Sequence, residues 1–229
     1  MSDDVLNKEM LDYQLMKAEE YENTLDILHP EDVIKQEKAF LFRSSKLALV
    51  VGHSARSPGA KGCPPISRHE YHWNQFLAKI IKDIATAKGI NCEIFYRDGI
   101  GILGAYQEVN DWKADACVEL HFNAYNGQVV GSEVLYGSSN IFSKKLAEDF
   151  QEMLVRVYSR EGVANRGIKH CKAGVDRGGE NVNQLVNIPS CLIEPYFGDA
   201  QSDAKKAKKY INVLADSIIA VYLNFIKKA

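Results

Sequence analysis

Two histidines and one glutamate stand at the ends of apolar runs in this sequence, where side chains can reach a cleft. His53 follows one apolar run after a single glycine, and His121 and Glu194 each end another. Hydrolytic zinc sites use three protein ligands, commonly histidine and carboxylate, and leave a fourth position for water. Both histidines with one acid would meet that requirement. A single histidine after a strand is also a common hydrogen-bonded loop residue, and that alternative stays open for each one taken alone.

Alternating apolar runs and amphipathic stretches must position these side chains. The unbroken run Leu47–Val51 is typical of a strand buried on both faces. The full pattern predicts strands at 47–51, 92–96, 116–121, 133–136 and 190–194 and helices at 70–88, 103–113, 141–160 and 202–225. It favours an α/β fold with a single twisted, mostly parallel sheet of about six strands and helices on both faces. Ligands gather beyond the carboxyl ends of strands in such sheets, where His53, His121 and Glu194 lie.

A helical extension is predicted ahead of this domain. Residues 1–44 contain no glycine and are rich in Glu, Lys, Leu and Met, and Pro30 followed by two acids resembles a helix start. Apolar residues recur there at roughly helical spacing, so we expect two helices that pack on the main domain. The predicted boundaries are 1–44 for the extension and 45–229 for the catalytic domain.

Composition excludes several classes of protein. With 229 residues, 46% of them hydrophobic, the chain can bury a substantial core. A net charge of -2 provides no basic stripe for phosphates, so nucleic acid is not an expected partner. No run of about 18 apolar residues predicts a membrane span, and the start MSDDVLNKEM lacks the features of a secretory signal. We therefore expect synthesis in the cytoplasm, with release needed before any substrate outside the membrane is reached.

The cysteines favour a reduced protein. The five are widely spaced and form no CxxC pair: Cys63, Cys92, Cys117, Cys171 and Cys191. Such spacing indicates neither a thiolate metal site nor a redox motif. We expect them to be buried thiols.

Six short segments between residues 46 and 225 occur in a recognisable order. They are Gly52-His53 with Pro58-Gly59-Ala60; Glu70 with Asn74; Leu120-His121-Phe122-Asn123-Ala124; Gly131-Ser132-Glu133-Val134; Arg166-Gly167-Ile168-Lys169; and residues 188–197, IPSCLIEPYF. Together they resemble the zinc-dependent N-acetylmuramoyl-L-alanine amidases of bacterial cell walls and phage endolysins. Each segment alone is weakly specific, whereas six in order make the resemblance strong.

The resemblance implies a ligand set and a catalytic group. His53, Glu70 and His121 would bind Zn²⁺, and Glu194 would serve as the catalytic acid and base. Peptidoglycan would be the partner, cut at the amide bond between the lactyl group of muramic acid and L-alanine. His69 and His72 flank Glu70, and either could replace it as the third ligand.

Some residues depart from the family's pattern. Val50 and Val51 stand where an acid often precedes the first Gly-His, and Ser57 stands where Asp is usual. Glu119 occupies a position that is usually small or hydroxylated. Strand alternation places it on the same face as His121, where it could orient an imidazole or be solvated.

Candidate substrate-binding residues are Asn123, Arg177 and Glu119. Arg177 lies in the polar segment 176–181, which is glycine-rich and predicts a loop. At the rim of a cleft its guanidinium could meet the carboxylates of a stem peptide, although a solvated surface turn explains the segment equally well.

Three functions are compatible with these features. The first is a peptidoglycan amidase, with a phage endolysin favoured over a secreted autolysin and a monomer favoured over an oligomer. The second keeps the zinc site but acts as a metallopeptidase or deacylase on another amide. The third is a catalytically silent wall-binding module, which predicts loss of a ligand or of the acid. The retention of all four residues argues against it.

Overall fold

Six strands form one sheet in this protein, for which a computed structural model describes residues 45–158, 161–162 and 164–228. The strands are β1 (Lys46–Val51), β2 (Asn91–Phe95), β3 (Ala116–Leu120), β4 (Ser132–Tyr136), β5 (Asn165–His170) and β6 (Ser190–Glu194). Their order is β2-β1-β3-β6-β4-β5. All neighbouring pairs are parallel except β4 and β6, which are antiparallel. The predicted single, mostly parallel sheet is confirmed.

Helices cover both faces of this sheet. They are α1 (Glu70–Ala87), α2 (Gly101–Trp112), α3 (Ser143–Tyr158), α4 (Gly179–Val182), α5 (Gln201–Lys209) and α6 (Ile211–Lys228). Alternate side chains of β1 divide between two cores. Leu47, Leu49 and Val51 pack with α1, α3 and α6, whereas Ala48 and Val50 pack with α2. Burial of one Leu or Val side chain contributes roughly 1.5–3 kcal/mol to the stability of the fold. Since β1 is buried on both faces, it is a stable base for His53.

Three elements differ from the predicted ones. Strand β5 and the short helix α4 lie in segments for which no element was predicted. The single helix predicted at 202–225 is two helices, α5 and α6, bent by 70°. The two helices predicted within residues 1–44 lie outside the described residues and stay predictions.

The state of the cysteines and the apolar length of the helices were also predicted from the sequence. All five cysteines are free thiols, four of them buried and Cys63 partly so. No single helix among the described residues is both long and apolar enough to cross a membrane. Helices α5 and α6 taken together meet those limits of length and composition, across their bend.

Candidate active site

The three strands that precede the chemistry-bearing residues are neighbours at the centre of the sheet. β1, β3 and β6 run parallel, so their carboxyl ends meet at one edge. His53 follows β1 after one residue, His121 follows β3 directly, and Glu194 is the last residue of β6. The topology therefore brings together the side chains that the sequence placed at strand ends.

The backbone is unusual at His53, just after β1, and two nearby glycines leave room for the neighbouring side chains. His53 has a left-handed backbone with φ of 67°, an uncommon conformation for a residue with a side chain. A Cβ on Gly52 would lie 2.3 Å from Nε2 of His121, so only glycine lets that ring approach. A Cβ on Gly59 would lie 2.7 Å from the His53 ring and 2.8 Å from Oε2 of Glu70. Both glycines keep the space around these three side chains open.

Glu70 lies between the two histidines at the first turn of α1. Loop carbonyls of Ala60 and Pro58 accept hydrogen bonds from the amides of Glu70 and Tyr71, which fixes the start of this helix. Oε1 of Glu70 lies 2.7 Å from Nδ1 of His121, and Oε2 lies 3.0 Å from Nε2 of His53. The Phe122 amide also donates to Oε1, at 3.1 Å. The carboxylate is therefore held in place by groups from two strands' ends.

The donor set of His53, Glu70 and His121 could hold a metal ion. One ligand atom from each residue lies within 4.8 Å of the others. Nε2 of His53 is buried and makes no hydrogen bond with a described residue, despite its short distance to Glu70. Two imidazoles and a carboxylate are the ligands that zinc takes in hydrolytic sites. The three residues thus fit a zinc ion in both chemistry and spacing.

The alternative third ligands lie elsewhere. His69 precedes α1, and its Nδ1 lies 3.1 Å from the carbonyl oxygen of Gly59. His72 is exposed, and its Nδ1 lies 3.4 Å from Oε1 of Gln75. Neither belongs to the group that contains His53 and His121.

Contacts between oppositely charged side chains shift the pKa values of Glu70 and His121. Burial alone would raise the pKa of Glu70, but the charge on His121, the hydrogen bond from its imidazole and the close approach of His53 lower that pKa instead. Burial would lower the pKa of His121, but the carboxylates of Glu70 and Glu119 raise it. The two carboxylates thus favour the protonated form of His121. A bound metal takes the place of a proton, so metal affinity must rise with pH.

Glu194 differs from Glu70 in its surroundings. Its side chain is buried, and Oε2 makes no hydrogen bond with any described residue. Burial raises the pKa of Glu194 to about 8, with the charge of His121 opposing the rise and that of Glu70 adding to it. A carboxyl group with such a pKa can hold a proton and release it near neutral pH. This is the property required of a catalytic acid and base.

Asn123 and Arg177 lie beside Glu194. Arg177 is exposed, and its guanidinium lies 3.8 Å from Oε1 of Glu194 and donates weakly to Oδ1 of Asn123 at 3.4 Å. Asn123 donates to Oε1 of Glu133 at 2.6 Å, and Arg166 donates to Oε2 of Glu133 at 2.9 Å. Arg177 is thus placed where a ligand's carboxylate could reach it.

The predicted contact of Glu119 with substrate is corrected by the structure. Glu119 is fully buried, with 0% exposure, so neither substrate nor solvent reaches it. Its Oε1 lies 3.1 Å from Nε2 of His121, the ring nitrogen that faces away from Glu70. Of the roles that the sequence left open, orientation of an imidazole is the one compatible with this position.

Three residues around Glu119 carried no recognisable signal in the sequence. Arg97, Tyr106 and Asn181 all donate hydrogen bonds to its carboxylate. They come from the loop after β2, from α2 and from α4, so no local spacing links them. The one available signal was that strand alternation places Glu119 on the same face as His121. If buried there, its carboxylate would need hydrogen-bond donors.

Comparison with known proteins agrees with this architecture. No curated protein matches the chain. Among solved structures, the catalytic domain of the CD27L endolysin targeting Clostridia difficile is 28% identical, covers 79% of this chain and 97% of its own, and has a TM-score of 0.60.

Two amidases share the fold at lower identity. The N-acetylmuramoyl-L-alanine amidase from Clostridium difficile 630 is 23% identical, with coverage of 80% of this chain and 98% of its own and a TM-score of 0.66. The catalytic domain of CwlV from Bacillus (Paenibacillus) polymyxa var. colistinus is 18% identical, with coverage of 80% and 98% and a TM-score of 0.65. The model of the N-acetylmuramoyl-L-alanine amidase family matches residues 47–221, which is most of the chain. This protein belongs to the N-acetylmuramoyl-L-alanine amidase family.

Proposed function

We propose that this protein is a zinc-dependent amidase that hydrolyses the bond between the lactyl group of muramic acid and L-alanine in peptidoglycan. One observation carries the proposal: the buried carboxylate of Glu194, with one oxygen unpartnered among the described residues, lies at the same sheet edge as a His-Glu-His group. Family membership supplies the bond to be cut.

His53, Glu70 and His121 would hold the zinc ion. When bound, zinc supplies a Lewis acid and lowers the pKa of water toward about 7. Glu70 suits a ligand because its pKa is lowered and it stays ionised. Proton transfer and substrate binding would be carried out by side chains of the protein.

Glu194 would carry the proton. The water oxygen bonds to the scissile carbonyl carbon, the carbon–nitrogen bond breaks, and the proton that the water loses passes to Glu194 and then to the departing nitrogen. The products are a lactyl carboxylic acid, which ionises by releasing the second water proton to solvent, and a peptide with a free L-alanine amine. Burial of Glu194 supports this role because it brings the pKa of the carboxyl group close to the range in which both transfers are possible.

Asn123 and Arg177 would bind the substrate beside Glu194. Arg177 projects into solvent with 68% of its side chain exposed, although it remains near Asn123 and Glu194. A guanidinium there can pair with a carboxylate of the stem peptide.

Digestion of purified peptidoglycan tests the proposal. We expect mass spectrometry to find released stem peptides with free L-alanine amino termini, glycan strands of unchanged length, and about one zinc per chain. Glu194→Gln should keep the zinc and release no peptides. New reducing sugar ends would contradict amidase activity. Retained zinc with intact peptidoglycan would point to a different amide as substrate.

The endolysin role is a narrower proposal. It is supported by the 28% identity with the catalytic domain of the CD27L endolysin. In this role the chain is made in the cytoplasm and reaches the wall only after release. Cells that express it should therefore lyse on permeabilisation of the membrane and stay intact without it. Spontaneous lysis during expression would contradict that order of events.

A further inference from the structure

Glu119 lies directly beneath the metal-ligand group but takes no part in it. It is the fourth residue of β3, on the strand face that carries Cys117 toward α2, and it is completely buried. A buried carboxylate requires partners for both oxygens. Those partners define what this residue can do.

Three donors from separate elements hold the carboxylate. Arg97 donates to Oε1 at 3.1 Å, and Tyr106 donates its hydroxyl hydrogen to Oε2 at 2.7 Å. The side-chain amide of Asn181 lies 2.9 Å from both oxygens. With donors on both oxygens, the group cannot rotate without breaking several buried hydrogen bonds at once.

The remaining contact of Oε1 is with His121. Its distance to Nε2 of the imidazole is 3.1 Å. An ionised carboxylate can only accept hydrogen bonds, so the proton in this contact must sit on Nε2. In a neutral imidazole that choice leaves the lone pair on Nδ1, which lies 2.7 Å from Glu70.

We propose that Glu119 is a positioning residue for the metal ligand His121, which it holds in the tautomer and ring orientation that direct Nδ1 toward Glu70 and His53. The inference rests on the proposed zinc site and adds a residue to it. Arg97, Tyr106 and Asn181 act one step further away, because they keep Glu119 in place.

If Glu119 served only as a hydrogen-bond acceptor for Arg97 and Tyr106, its substitution would give a different experimental result. It would contribute to folding, but zinc affinity and the protonation of His121 would not depend on it. Asp203 provides a matched control. It is another buried acid, and it accepts hydrogen bonds from the amides of Gly131 and Phe197 rather than from an imidazole.

The test compares Glu119→Ala, Glu119→Gln and Asp203→Ala in the full chain. Zinc dissociation constants come from competition with a chromophoric chelator. We expect Glu119→Ala to weaken zinc binding about 10–100-fold. Glu119→Gln should recover part of the affinity, since its amide oxygen can still accept from Nε2 while its amide nitrogen faces the Tyr106 and Asn181 donors. Asp203→Ala should lower the melting temperature with zinc affinity within about threefold of wild type.

The wild-type protein supplies a readout that needs no variant. Long-range ¹H–¹⁵N spectra of the zinc-loaded chain should place the His121 proton on Nε2. A proton on Nδ1, or wild-type zinc affinity in Glu119→Ala, would overturn the positioning role. If the wild-type chain retains no zinc at all, the proposed zinc site itself is wrong.

Discussion

Glu133 and Glu194 stand opposite each other across the antiparallel pair formed by β4 and β6. Arg166 and Asn123 both donate to the carboxylate of Glu133, so its charge is balanced by direct contacts. The Oε2 atom of Glu194 has no such partner among the described residues. Two carboxylates at one register position thus have opposite tasks, since one is fixed and the other is free to exchange a proton.

The buried carboxyl group of Glu194 should reduce stability above neutral pH. The folded-state pKa of Glu194 is raised to about 8 from an ordinary 4.5, so the folded state holds the proton more tightly than the unfolded state does. Its contribution is favourable below about pH 4.5 and is lost as the pH rises through about 8. We expect metal-free Glu194→Gln to melt at least about 3 °C above wild type near pH 9, with a smaller difference near pH 5. Calorimetry measures both values, and an equal difference at the two pH values would rule out the raised pKa.

Metal retention should depend on His53 and not on His72. Removal of one of three ligands weakens a hydrolytic zinc site severely, whereas the exposed His72 on α1 lies outside the group. Elemental analysis after gel filtration should find about one zinc per chain in His72→Ala and almost none in His53→Ala. Chelator treatment of wild type should abolish activity, and added zinc should restore it. The same zinc content per chain in both variants would exclude the proposed ligand set.

A methyl group at Gly52 should disturb the site through His121. The new Cβ would lie 2.3–2.7 Å from three atoms of that ring, so the imidazole must move. We expect Gly52→Ala to weaken zinc binding at least about tenfold. Gly89→Ala is the control, because its cost arises from a backbone φ of 72° with no atom within 4 Å of the added carbon. That variant should lose about 1–2 kcal/mol of stability and keep its zinc affinity.

Removal of the Arg177 guanidinium should affect substrate affinity more than turnover. This side chain is exposed and contacts Asn123 and Glu194 only at 3.4–3.8 Å, so it contributes little to folding. On a soluble muropeptide we expect Arg177→Ala to raise KM about fivefold or more while kcat stays within about threefold. Lys172→Ala removes an exposed cation from the connection between β5 and α4 that also carries Arg177, and it should leave both unchanged. A loss confined to kcat would assign Arg177 to the chemical step instead.

The central sheet was predictable because its strands are apolar runs. β1, β3 and β6 are buried along almost their whole length, which is the pattern that a parallel central strand leaves in a sequence. β5 gives no such signal. Its sequence NRGIKH has one large apolar residue, and within the described part of the chain it pairs with β4 alone, at one end of the strand order.

The break between α5 and α6 also has no local cause. Neither glycine nor proline occurs near Tyr210, where the chain bends. The Tyr210 ring instead packs edge-on against Tyr158 at 6.0 Å, and its hydroxyl contacts Glu161 at 2.8 Å. These contacts are distant in sequence, so only the folded chain reveals them.

The sequence alone predicted those site residues that lie at the end of an apolar strand. His53, His121 and Glu194 follow apolar runs, and the structure brings them to one edge. Glu70 was identified by resemblance, since an acid at a helix start is common. The partners of Glu119 could not be identified because each is an ordinary polar residue until the fold places it against a buried charge.

The sheet order has a consequence for local opening of the protein. Among the described strands, β1, β3, β6 and β4 each have a hydrogen-bonded strand on both sides, whereas β2 and β5 have one neighbour each. Backbone amides of β1, β3 and β6 should therefore exchange with deuterium more slowly than those of β5. Transient fraying of β5 would loosen the connection that carries Arg177, while the strands that precede His53 and His121 and end at Glu194 remain protected.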